Sequence, residues 1–567
     1  MSPSFDCMDL EALTSNAKQI QDDVLKQILT LNANTEYLQR YLHGSSDKEL
    51  FKKNVPVITY EDVRPYIERV ANGEPSNVIS GNSITGFFLS SGTSGGKHKI
   101  FPMNNIFFEN LLLYKALSSP FVSKYMDGAK REKEMMFGFT RPLSKTPSGL
   151  PVSGGVSSFL QSDYFKNQPS ELYSSPIDVT LCPDNIHSMY CHLLCGLVQR
   201  NEITSMSAYF VSILVRAINF LETHWREMCS NIRYGHVSEW ITDQKCRDSV
   251  TIILGGPNPE LANFIEDECN QKSWQGIIRR LWPKVKFIDC VVTGSMTQYI
   301  PTMDFYSNKL PIYSVLYASS ESIFGINVDP SSKLEDVSYT CLPNISYFEF
   351  KQIDEENKDD IVDLVNVKLG CYYELLVTNH FGLHRFNIGD ILQVTGFYNS
   401  TPQFRFIRRK ETVISIQTEI TTEEHILKAL YHATLVLESS NLMLMGNTCY
   451  EDISTNPGHY VFYWELNNKN IDGVELDNKV LVKCCCVMEE SLCPLYKTFR
   501  SKDGSIGALE IRVVQQGTFD SLMDFFVSKG SSISQYKTPL CIKSSEALTV
   551  LEDKVLGRFF SDKCPPL

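Results

Sequence analysis

The chain has 567 residues, enough for about three or four domain-sized units, and its 43% hydrophobic and 21% charged residues are ordinary for a globular protein. Its formal net charge of −13 argues against nucleic acid or an anionic membrane surface as the main partner. Residues 1–6 lack the pattern of a secretory signal, and the most apolar helical stretch, residues 208–221, is shorter than the ~20 apolar residues of a membrane span. We therefore expect a soluble, cytoplasmic protein; we also expect it to be a monomer, which these features do not determine.

The 17 cysteines lie in apolar segments without CxxC pairs, which indicates reduced, buried thiols. Cys484-Cys485-Cys486 is expected to form part of a buried strand. Neighbouring side chains on a strand point to opposite faces, so a shared metal ion is the weaker alternative. Cys191 and Cys195 lie one helical turn apart on either side of His192, and we expect them to pack in the core.

The first ~80 residues are predicted to be helical, over residues 9–31, 34–42 and 47–54, with a further helix beginning near Tyr60. Short apolar strands then alternate with helical stretches. Such strands are predicted at residues 86–89, 135–139, 251–254 and 287–292. This alternation is typical of an α/β fold, in which ligands bind at the carboxyl ends of the strands.

The pattern changes after about residue 340. Short strands separated by turns predict a small barrel or a twisted antiparallel unit; they lie at residues 346–350, 373–377, 391–395 and 403–407. From about residue 422, helices alternate with strands in the manner of a separate α+β lid. The helices are predicted at 423–437 and 518–529, and the strands at 459–465 and 508–514.

The first segment with a chemical signature follows the strand at 86–89. It contains four hydroxyl residues and three glycines in seven positions: Ser90, Ser91, Gly92, Thr93, Ser94, Gly95 and Gly96. Glycines let backbone N–H groups crowd around phosphate oxygens, and the hydroxyls add donors. The segment is not a P-loop of the kinase or GTPase type, because Lys97-His98 stands where that motif requires Lys followed by Ser or Thr. A flexible surface loop is the alternative.

The second segment begins with Tyr317-Ala318-Ser319-Ser320-Glu321, after an apolar strand. Small residues at a strand end leave room for a flat base, and an aromatic ring there can stack on it. Glu321 is suited to hold Mg²⁺ near phosphates. An ordinary structural turn is an equally good interpretation of this segment alone.

The third segment, residues 384–390, ends in Gly389-Asp390, and the strand that carries Phe406 and Arg409 follows it. A carboxylate in a tight Gly-Asp turn can accept hydrogen bonds from both hydroxyls of a ribose. Gly-Asp is also common in surface turns, so this signal is weak by itself.

In this order and spacing, the three segments resemble the plant acyl-acid–amido synthetases, the auxin- and jasmonate-conjugating enzymes of the Gretchen Hagen three family within the adenylate-forming superfamily. The resemblance runs from about residue 28 to residue 551. Further matching segments are Glu36-Tyr37-Leu38, residues 191–197, Leu254-Gly255-Gly256-Pro257, Thr293-Gly294-Ser295-Met296, residues 509–514 and Gln535-Tyr536-Lys537-Thr538-Pro539. Residues 346–350 and 519–526 are most similar to the branch that acts on benzoate-type and chorismate-derived acids.

The resemblance implies an α/β fold of the adenylate-forming, firefly-luciferase-like type. This fold has a large N-terminal domain, with a β-barrel and two α/β subdomains, and a small, mobile α+β C-terminal domain. The implied boundaries are an adenylation domain at 1–417, whose barrel-like part covers about 340–417, a hinge at 418–421 and a lid at 422–567.

The resemblance also implies residue roles. The implied phosphate cradle consists of Ser90, Ser91, Gly92, Thr93 and Ser94, and the implied adenine pocket consists of Tyr317, Ala318, Ser319 and Ser320. Asp390 is implied to bind the ribose, and Phe406 and Arg409 are implied to lie beside the nucleotide. Glu321 is implied as the Mg²⁺ ligand, and Lys537 as the cation that neutralises charge during adenylation. The implied acid-binding residues are Tyr114, Leu117, Thr293, Ser295 and Met296.

Four positions depart from the family pattern. Gln417 and Ile420 stand where the family hinge has Asp and Lys, and Leu540 stands where it has Arg. Tyr114 matches relatives that use benzoates, whereas Leu117 stands where they carry an Arg. A leucine cannot clamp a carboxylate bidentately, so we expect an acid that differs from simple benzoates.

The implied activity uses ATP and Mg²⁺ to activate a small carboxylic acid, aromatic or chorismate-like, as its acyl-adenylate. The acyl group is then transferred to a free amino acid. Two alternatives stay open: a thioester-forming ligase that uses coenzyme A, and a catalytically weak nucleotide-binding paralogue, for which Ile420 and Leu540 argue.

Overall fold

The computed structural model describes residues 9–94, 97–123, 133–353, 360–410, 413–416, 419–468, 477–531 and 533–566, and only the backbone at 91–94 and 97. The chain divides into two compact units. Unit 1 comprises Met1–Arg131, Thr140–Pro169 and Ile312–Lys410, and unit 2 comprises Glu132–Phe139, Ser170–Pro311 and Glu411–Leu567. Within the described ranges, every helix is too short or too polar to cross a bilayer.

The helices are α1 (Leu10–Ser15), α2 (Ala17–Asn32), α3 (Glu36–Leu42), α4 (Lys48–Asn54), α5 (Tyr60–Ala71), α6 (Asn105–Val122), α7 (Gly155–Gln161), α8 (Asp163–Lys166), α9 (Ile177–Thr180), α10 (Asn185–Val198), α11 (Val211–Tyr234), α12 (Gln244–Leu254), α13 (Pro259–Cys269), α14 (Ile277–Leu281), α15 (Ile300–Ser307), α16 (Glu423–Ser439), α17 (Asn478–Ser491), α18 (Pro494–Thr498), α19 (Thr518–Ser528) and α20 (Ser545–Glu552). Two 3₁₀ helices matter below, Gly294–Tyr299 and Ile533–Gln535.

The strands are β1 (Gly86–Ser94), β2 (Lys97–Met103), β3 (Lys133–Phe137), β4 (Ser144–Lys145), β5 (Pro151–Ser153), β6 (Ile203–Phe210), β7 (Phe287–Val291), β8 (Ile312–Tyr313), β9 (Leu316–Ala318), β10 (Ile323–Ile326), β11 (Tyr339–Cys341), β12 (Tyr347–Gln352), β13 (Ile361–Asp363), β14 (Tyr372–Thr378), β15 (Phe386–Tyr398), β16 (Thr401–Arg409), β17 (Leu442–Asp452), β18 (His459–Asn468), β19 (Glu510–Val514) and β20 (Val555–Phe560).

Unit 1 is built on an eight-stranded sheet with the order β13-β12-β14-β15-β16-β11-β10-β9. The pairings recorded between neighbouring strands are antiparallel, as expected for short strands joined by turns. A second sheet contains the β1–β2 hairpin together with β5 and β4. The four helices in residues 10–54 are the first elements of this unit, and three of them begin at an Asp or Thr whose side chain accepts a backbone N–H.

Unit 2 contains two sheets. In the first, β3, β6 and β7 run parallel in that order, next to the largely apolar helices α10 and α11. In the second, β17, β18, β19 and β20 are adjacent, and α16 and α17 cover one face of it. Trp464 and Tyr496, both fully buried, are at the centre of the core between that sheet and its helices.

Most of the predicted elements are confirmed, but the strand at 251–254 is wrong. Those residues end α12, in which Cys246, Val250 and Leu254 are buried at four-residue spacing. Asp243 caps the helix by accepting the N–H of Cys246, and Gly255 ends it with a left-handed φ of 64°. The capping and the buried face therefore outweigh the strand preference of the β-branched residues at 251–253.

The strand predicted through Cys484-Cys485-Cys486 is also wrong, because these residues lie in α17. Cys484 and Cys485 are buried and Cys486 is partly exposed, since consecutive helical residues point 100° apart. No disulfide links the described cysteines; most of them are buried, as expected, whereas Cys564 is exposed. Cys191 and Cys195 are fully buried in α10, as expected.

Gly389-Asp390 is not a turn between elements, because both residues lie inside β15. Gly389 has a left-handed φ of 80°, and the pairing of β15 with β14 is irregular between Asn387 and Ile391. The extra residues form a bulge, which re-aims the side chain next to it and is common beside functional sites.

Candidate functional site

Asp390 is the centre of the candidate site in unit 1. Its side chain is 5% exposed, and its Oδ2 accepts a hydrogen bond of 2.8 Å from the hydroxyl of Tyr317. The guanidinium of Arg409, opposite Asp390 in the β15–β16 register, brings its Nε to 3.3 Å from Oδ1. Among the described residues, however, none donates a hydrogen bond to Oδ1. A buried carboxylate oxygen without a donor is costly, and a bound hydroxyl would satisfy it.

The Tyr317 ring lies among other aromatic rings. The ring centroid is 4.9 Å from that of Phe324, 5.6 Å from that of Tyr339 and 6.4 Å from that of Phe406. Burial and the charge of Asp390 raise the pKa of the Tyr317 hydroxyl well above its usual range. Tyr317 is therefore a permanent neutral donor that holds Asp390 in place. The Phe324 and Tyr339 rings are buried behind it, whereas the rings of Tyr317 and Phe406 are partly exposed and could contact a flat base.

Glu321 lies in the turn that follows β9. The hydroxyl of Ser319 donates to Glu321 Oε2 at 2.5 Å, and the side-chain amide of Asn379 donates to the Glu321 carbonyl at 2.8 Å. The N–H of Ser319 donates to the carbonyl of Ser322 at 2.9 Å and closes the turn around Ser320. Burial raises the pKa of Glu321 although Ser319 and Arg409 lower it, so the neighbouring groups do not fully offset the burial of the carboxylate.

The phosphate-cradle segment forms the end of a hairpin rather than a loop. Residues 90–94 belong to β1, and Thr93 and Ser94 pair with residues of β2. Ser90 is partly buried, whereas the side chains of Ser91, Gly92, Thr93 and Ser94 lie outside the described part, as do Gly95 and Gly96. The register of the hairpin is irregular between Leu89 and Thr93, which indicates a bulge in this segment.

The residues expected to bind the acid fall into both units. In unit 1, Tyr114 and Leu117 are 8% and 6% exposed on α6, which lies beside β10. In unit 2, Thr293 precedes the 3₁₀ helix Gly294–Tyr299, in which Met296 is fully buried and Ser295 partly buried.

Lys537 is in unit 2, in an exposed position at the end of β6. Its Nζ is 4.6 Å from the centroid of the Phe210 ring, and Phe210 is the last residue of that parallel strand. The C-terminal segment that carries Lys537 is therefore docked at the carboxyl edge of the β3-β6-β7 sheet, where α/β folds bind ligands.

The departures from the family pattern have local structural consequences. Ile420 is 54% exposed, so its side chain neither packs in the core nor supplies a charge. Leu540 packs against the apolar core of the C-terminal sheet, and its carbonyl accepts the N–H of Cys449 at 2.8 Å. The leucine side chain at position 540 is therefore accommodated by apolar contacts. An arginine at this position would have to extend its charged end beyond the apolar core to reach water. Gln417 lies outside the described residues.

One further group of candidate metal ligands was not anticipated from the sequence: Asp452, His459 and Glu510 in unit 2. Arg512 donates to Asp452 at 3.1 Å and to Glu510 at 2.7 Å, and His459 Nε2 contacts Glu510 at 2.9 Å. Arg512 already provides the positive charge that a metal ion would bring, so this group is a buried ion-pair network.

Three family models match the chain along most of its length. They are the GH3 family N-terminal domain over residues 7–312, the GH3 family central domain over residues 339–409 and the GH3 family C-terminal domain over residues 424–546. The chain belongs to the GH3 family.

Curated relatives of this GH3 chain match it over nearly its whole length. A protein of Arabidopsis thaliana named 4-substituted benzoates-glutamate ligase GH3.12 is 56% identical over 99% of this chain and 100% of its own length. Another, indole-3-acetic acid-amido synthetase GH3.17 of the same plant, is 48% identical over 100% of this chain and 98% of its own length.

Solved structures agree with this assignment. The GH3.15 acyl acid amido synthetase in complex with 2,4-DB has a TM-score of 0.91 to this GH3 chain at 48% identity, covering 98% of this chain and 97% of the other. A 2-hydroxyisobutyryl-CoA ligase in the postadenylation state, 10% identical, has a TM-score of 0.50 over 97% and 94% of the two chains, which shows the shared fold alone.

The predicted family and fold class are confirmed: the GH3 chain has the mixed α/β fold of adenylate-forming ligases, with several sheets and a separate C-terminal domain. Family membership makes it an acyl-acid–amido synthetase, a ligase that joins a carboxylic acid to an amino acid through a C–N bond. The domain boundaries and residue roles stay predictions.

Proposed function

We propose that this chain activates a small aromatic or chorismate-like carboxylic acid with ATP as an acyl-adenylate, and then conjugates the acyl group to a free amino acid. The observation that carries the proposal is the buried Oδ1 of Asp390, which is held in place by Tyr317 and lacks a hydrogen-bond donor among the described residues. A ribose hydroxyl supplies the missing donor, and the partly exposed rings of Tyr317 and Phe406 suit the attached base.

The two-step chemistry follows from the properties of the substrates. A carboxylate is anionic at neutral pH and resists attack by an amine, so it first needs a good leaving group. Its attack on the α-phosphate of ATP forms the acyl–O–P bond and releases pyrophosphate. The amine of the amino acid then attacks the acyl carbon and expels AMP. The site must exclude water, which would otherwise hydrolyse the adenylate, and positioning and electrostatics should supply most of the acceleration.

Glu321 is the residue proposed to hold Mg²⁺. Its partly buried carboxylate has a raised pKa, which a nearby cation would lower, so the position fits a divalent ion. When bound, Mg²⁺ neutralises phosphate charge. The chain's own contribution is to fix the carboxylate: Ser319 donates to Oε2, and Asn379 holds the backbone of the turn.

The remaining nucleotide roles follow the family resemblance. The hydroxyls and backbone of Ser90, Ser91, Gly92, Thr93 and Ser94 are proposed to cradle the phosphates, and Lys537 to neutralise charge in the first step. The proposal includes the boundaries given above: an adenylation domain at 1–417, a hinge at 418–421 and a lid at 422–567. A cytoplasmic location, a monomeric state and a role in plant hormone or defence metabolism also belong to it.

The proposed acid is aromatic because the relative that is 56% identical is named for 4-substituted benzoates. Tyr114 and Leu117 are buried on the same helix, three residues apart, and so lie on one face of it. Leu117 offers an apolar surface and no charge, which favours an acid with an apolar group at this position. Glutamate is the first amino acid to test, because the same relative is named as a glutamate ligase.

The test measures exchange of labelled pyrophosphate into ATP over a panel of benzoates, chorismate-derived acids and auxins. The expected result is exchange that depends on one class of acid. An amino-acid panel that begins with glutamate then identifies the acceptor by mass spectrometry, with coenzyme A as a parallel acceptor. A thioester product would make the chain a coenzyme A ligase instead. ATP binding without exchange for any acid would overturn the proposed catalysis.

One structural observation favours a second function, that of a catalytically weak nucleotide-binding paralogue. Ile420 is exposed and uncharged, and Leu540 packs against the C-terminal core, so two positions that are cationic in the family pattern carry no charge here. Replacing Ile420 with Lys and Leu540 with Arg distinguishes the two functions. A paralogue that lost its activity through these changes should gain exchange activity, whereas an active enzyme should change little.

A further inference from the structure

Residues 533–538 are fixed to the carboxyl ends of two parallel strands in unit 2. The hydroxyl of Ser534 donates to the carbonyl of Phe139 at 2.5 Å and accepts the N–H of Phe139 at 3.1 Å. Phe139 follows β3, and the 3₁₀ helix that contains Ser534 lies beside β6. Ser534 and Phe139 are each 1% exposed, so this two-point contact is removed from water.

A second contact holds the same segment on the other side of Lys537. The hydroxyls of Thr538 and Tyr299 share a hydrogen bond of 3.4 Å, and the two residues are 8% and 5% exposed. Tyr299 ends the 3₁₀ helix Gly294–Tyr299. Lys537 therefore lies between two anchored residues, three positions after Ser534 and one position before Thr538.

The Phe139 backbone is itself supported by a buried histidine. Burial lowers the pKa of His192 to about 4, so the imidazole is neutral at pH 7. Its Nε2 donates to the carbonyl of Gly138 at 3.0 Å, and its Nδ1 therefore accepts from the Ser175 hydroxyl at 2.8 Å. This arrangement fixes the backbone just before the peptide group that Ser534 grips.

We propose that Ser534 is a positioning residue for the adenylation step, which holds the backbone on the N-terminal side of Lys537 so that the ammonium stays at the end of β6. This inference rests on the proposed function, in which Lys537 neutralises charge while pyrophosphate leaves. The Phe210 ring face stabilises the ammonium without cancelling its charge. A lysine on an unanchored segment would lose conformational entropy each time it took up its position during turnover. The contact of Ser534 orders the segment before the substrate binds, so that cost does not raise the barrier.

The first test is Ser534→Ala, measured in both half-reactions with the best acid of the exchange panel. We expect the maximal rate of pyrophosphate exchange to fall about tenfold, a free-energy difference of about 1.4 kcal/mol. The KM for ATP should stay within about twofold, because Ser534 touches no proposed nucleotide ligand. Aminolysis of the synthetic acyl-adenylate of that acid should keep its wild-type rate.

A double-mutant cycle with Lys537→Ala separates positioning from a general structural effect. If Ser534 acts through Lys537, adding Ser534→Ala to the Lys537→Ala variant should cost nothing further in exchange. Ser561→Ala is the matched control, since Ser561 is a buried serine of the same unit whose hydroxyl donates to the Lys563 carbonyl at 2.9 Å. It should exchange like the wild type.

A second variant, Thr538→Val, keeps the side-chain shape and removes the bond to Tyr299, so it keeps the test informative if Ser534→Ala folds poorly. It should slow exchange in the same direction by a smaller factor, and circular dichroism should show a native fold. Wild-type exchange rates in both Ser534→Ala and Thr538→Val, or equal losses in both half-reactions, would overturn the inference alone. Absence of exchange by the wild-type chain with every acid would instead overturn the proposed function on which it rests.

Discussion

Replacing Asp390 with Asn tests whether this residue binds the ribose. The substitution keeps the shape of the side chain, and the amide oxygen can still accept the hydroxyl of Tyr317. Oδ1 has no hydrogen-bond partner among the described residues, so it is the oxygen expected to accept a ligand hydroxyl. A charge-assisted hydrogen bond contributes roughly 1.5–3 kcal/mol, and a neutral one that the amide could form contributes roughly 0.5–1.5 kcal/mol. The difference of about 1–1.5 kcal/mol predicts an ATP Kd about 5- to 12-fold higher.

The assay is isothermal titration calorimetry of the wild type and the Asp390→Asn variant, with ATP and with 2′,3′-dideoxy-ATP at fixed Mg²⁺. The wild type should prefer ATP to the dideoxy nucleotide, and the variant should lose most of that preference. Asp363→Asn is the matched control, because Asp363 also accepts a tyrosine hydroxyl, that of Tyr347 at 2.6 Å, and is paired with Lys52 at 2.6 Å. It should leave both affinities unchanged.

The comparison of the two nucleotides also identifies the result that refutes the reasoning. If Asp390→Asn weakens ATP and dideoxy-ATP by the same factor, the residue supports the site but does not bind the ribose. If it weakens neither, the buried oxygen has no role in nucleotide binding.

Four further predictions follow from particular side chains. Burial raises the pKa of Glu321 above its usual 4.5, so the folded state holds its proton at pH values at which the unfolded state has released it. The wild type therefore loses stability as the pH rises above 4.5. Glu321→Gln, which stays neutral, should match the wild type in thermal stability at pH 4 and exceed it at pH 7. His192 has a pKa of about 4 against 6.5 when unfolded, so wild-type stability should fall as pH drops from 6.5 to 4, and calorimetry of His192→Gln should show a flatter profile. Leu117→Arg should shift the exchange panel toward simple benzoates, because it restores the guanidinium of the benzoate-using relatives, and an unchanged profile would contradict a role for this position in the acid site. Arg385→Met should lower the free energy of unfolding in urea by about 3–5 kcal/mol, because it leaves the buried Glu349 without its bidentate partner.

Local signals explain why the helices of the first 54 residues could be predicted. Asp9, Thr35 and Asp47 each stand just before a helix and cap it, and such caps lie next to the apolar pattern they precede. The error at residues 251–254 arose because β-branched residues favour strands locally. The helical signal is the four-residue spacing of Cys246, Val250 and Leu254, and two of these residues precede the 251–254 segment.

The sequence predicts the candidate site as separate residues, whose roles stay predictions, and not as a geometry. The sequence predicts that Tyr317 and Asp390 contact the same nucleotide, but it does not show their hydrogen bond, which spans 73 positions and lies at a bulge in β15. Ser534 was missed because its surroundings have no distinctive pattern. Its importance comes from a contact with Phe139, 395 positions away, which only the folded chain brings about.

The docking of residues 533–538 on the ends of β3 and β6 limits how the family's domains can be recombined. Phe139 and Phe210, which are 1% and 4% exposed, are in contact with the C-terminal segment through Ser534 and Lys537. Arg216 adds an ion pair with Asp520 at 2.8 Å. A chimera that takes residues 424–546 from another relative therefore replaces one half of each of these contacts. Such hybrids should fold and keep wild-type activity only where the donor sequence preserves the counterparts of Ser534 and Asp520.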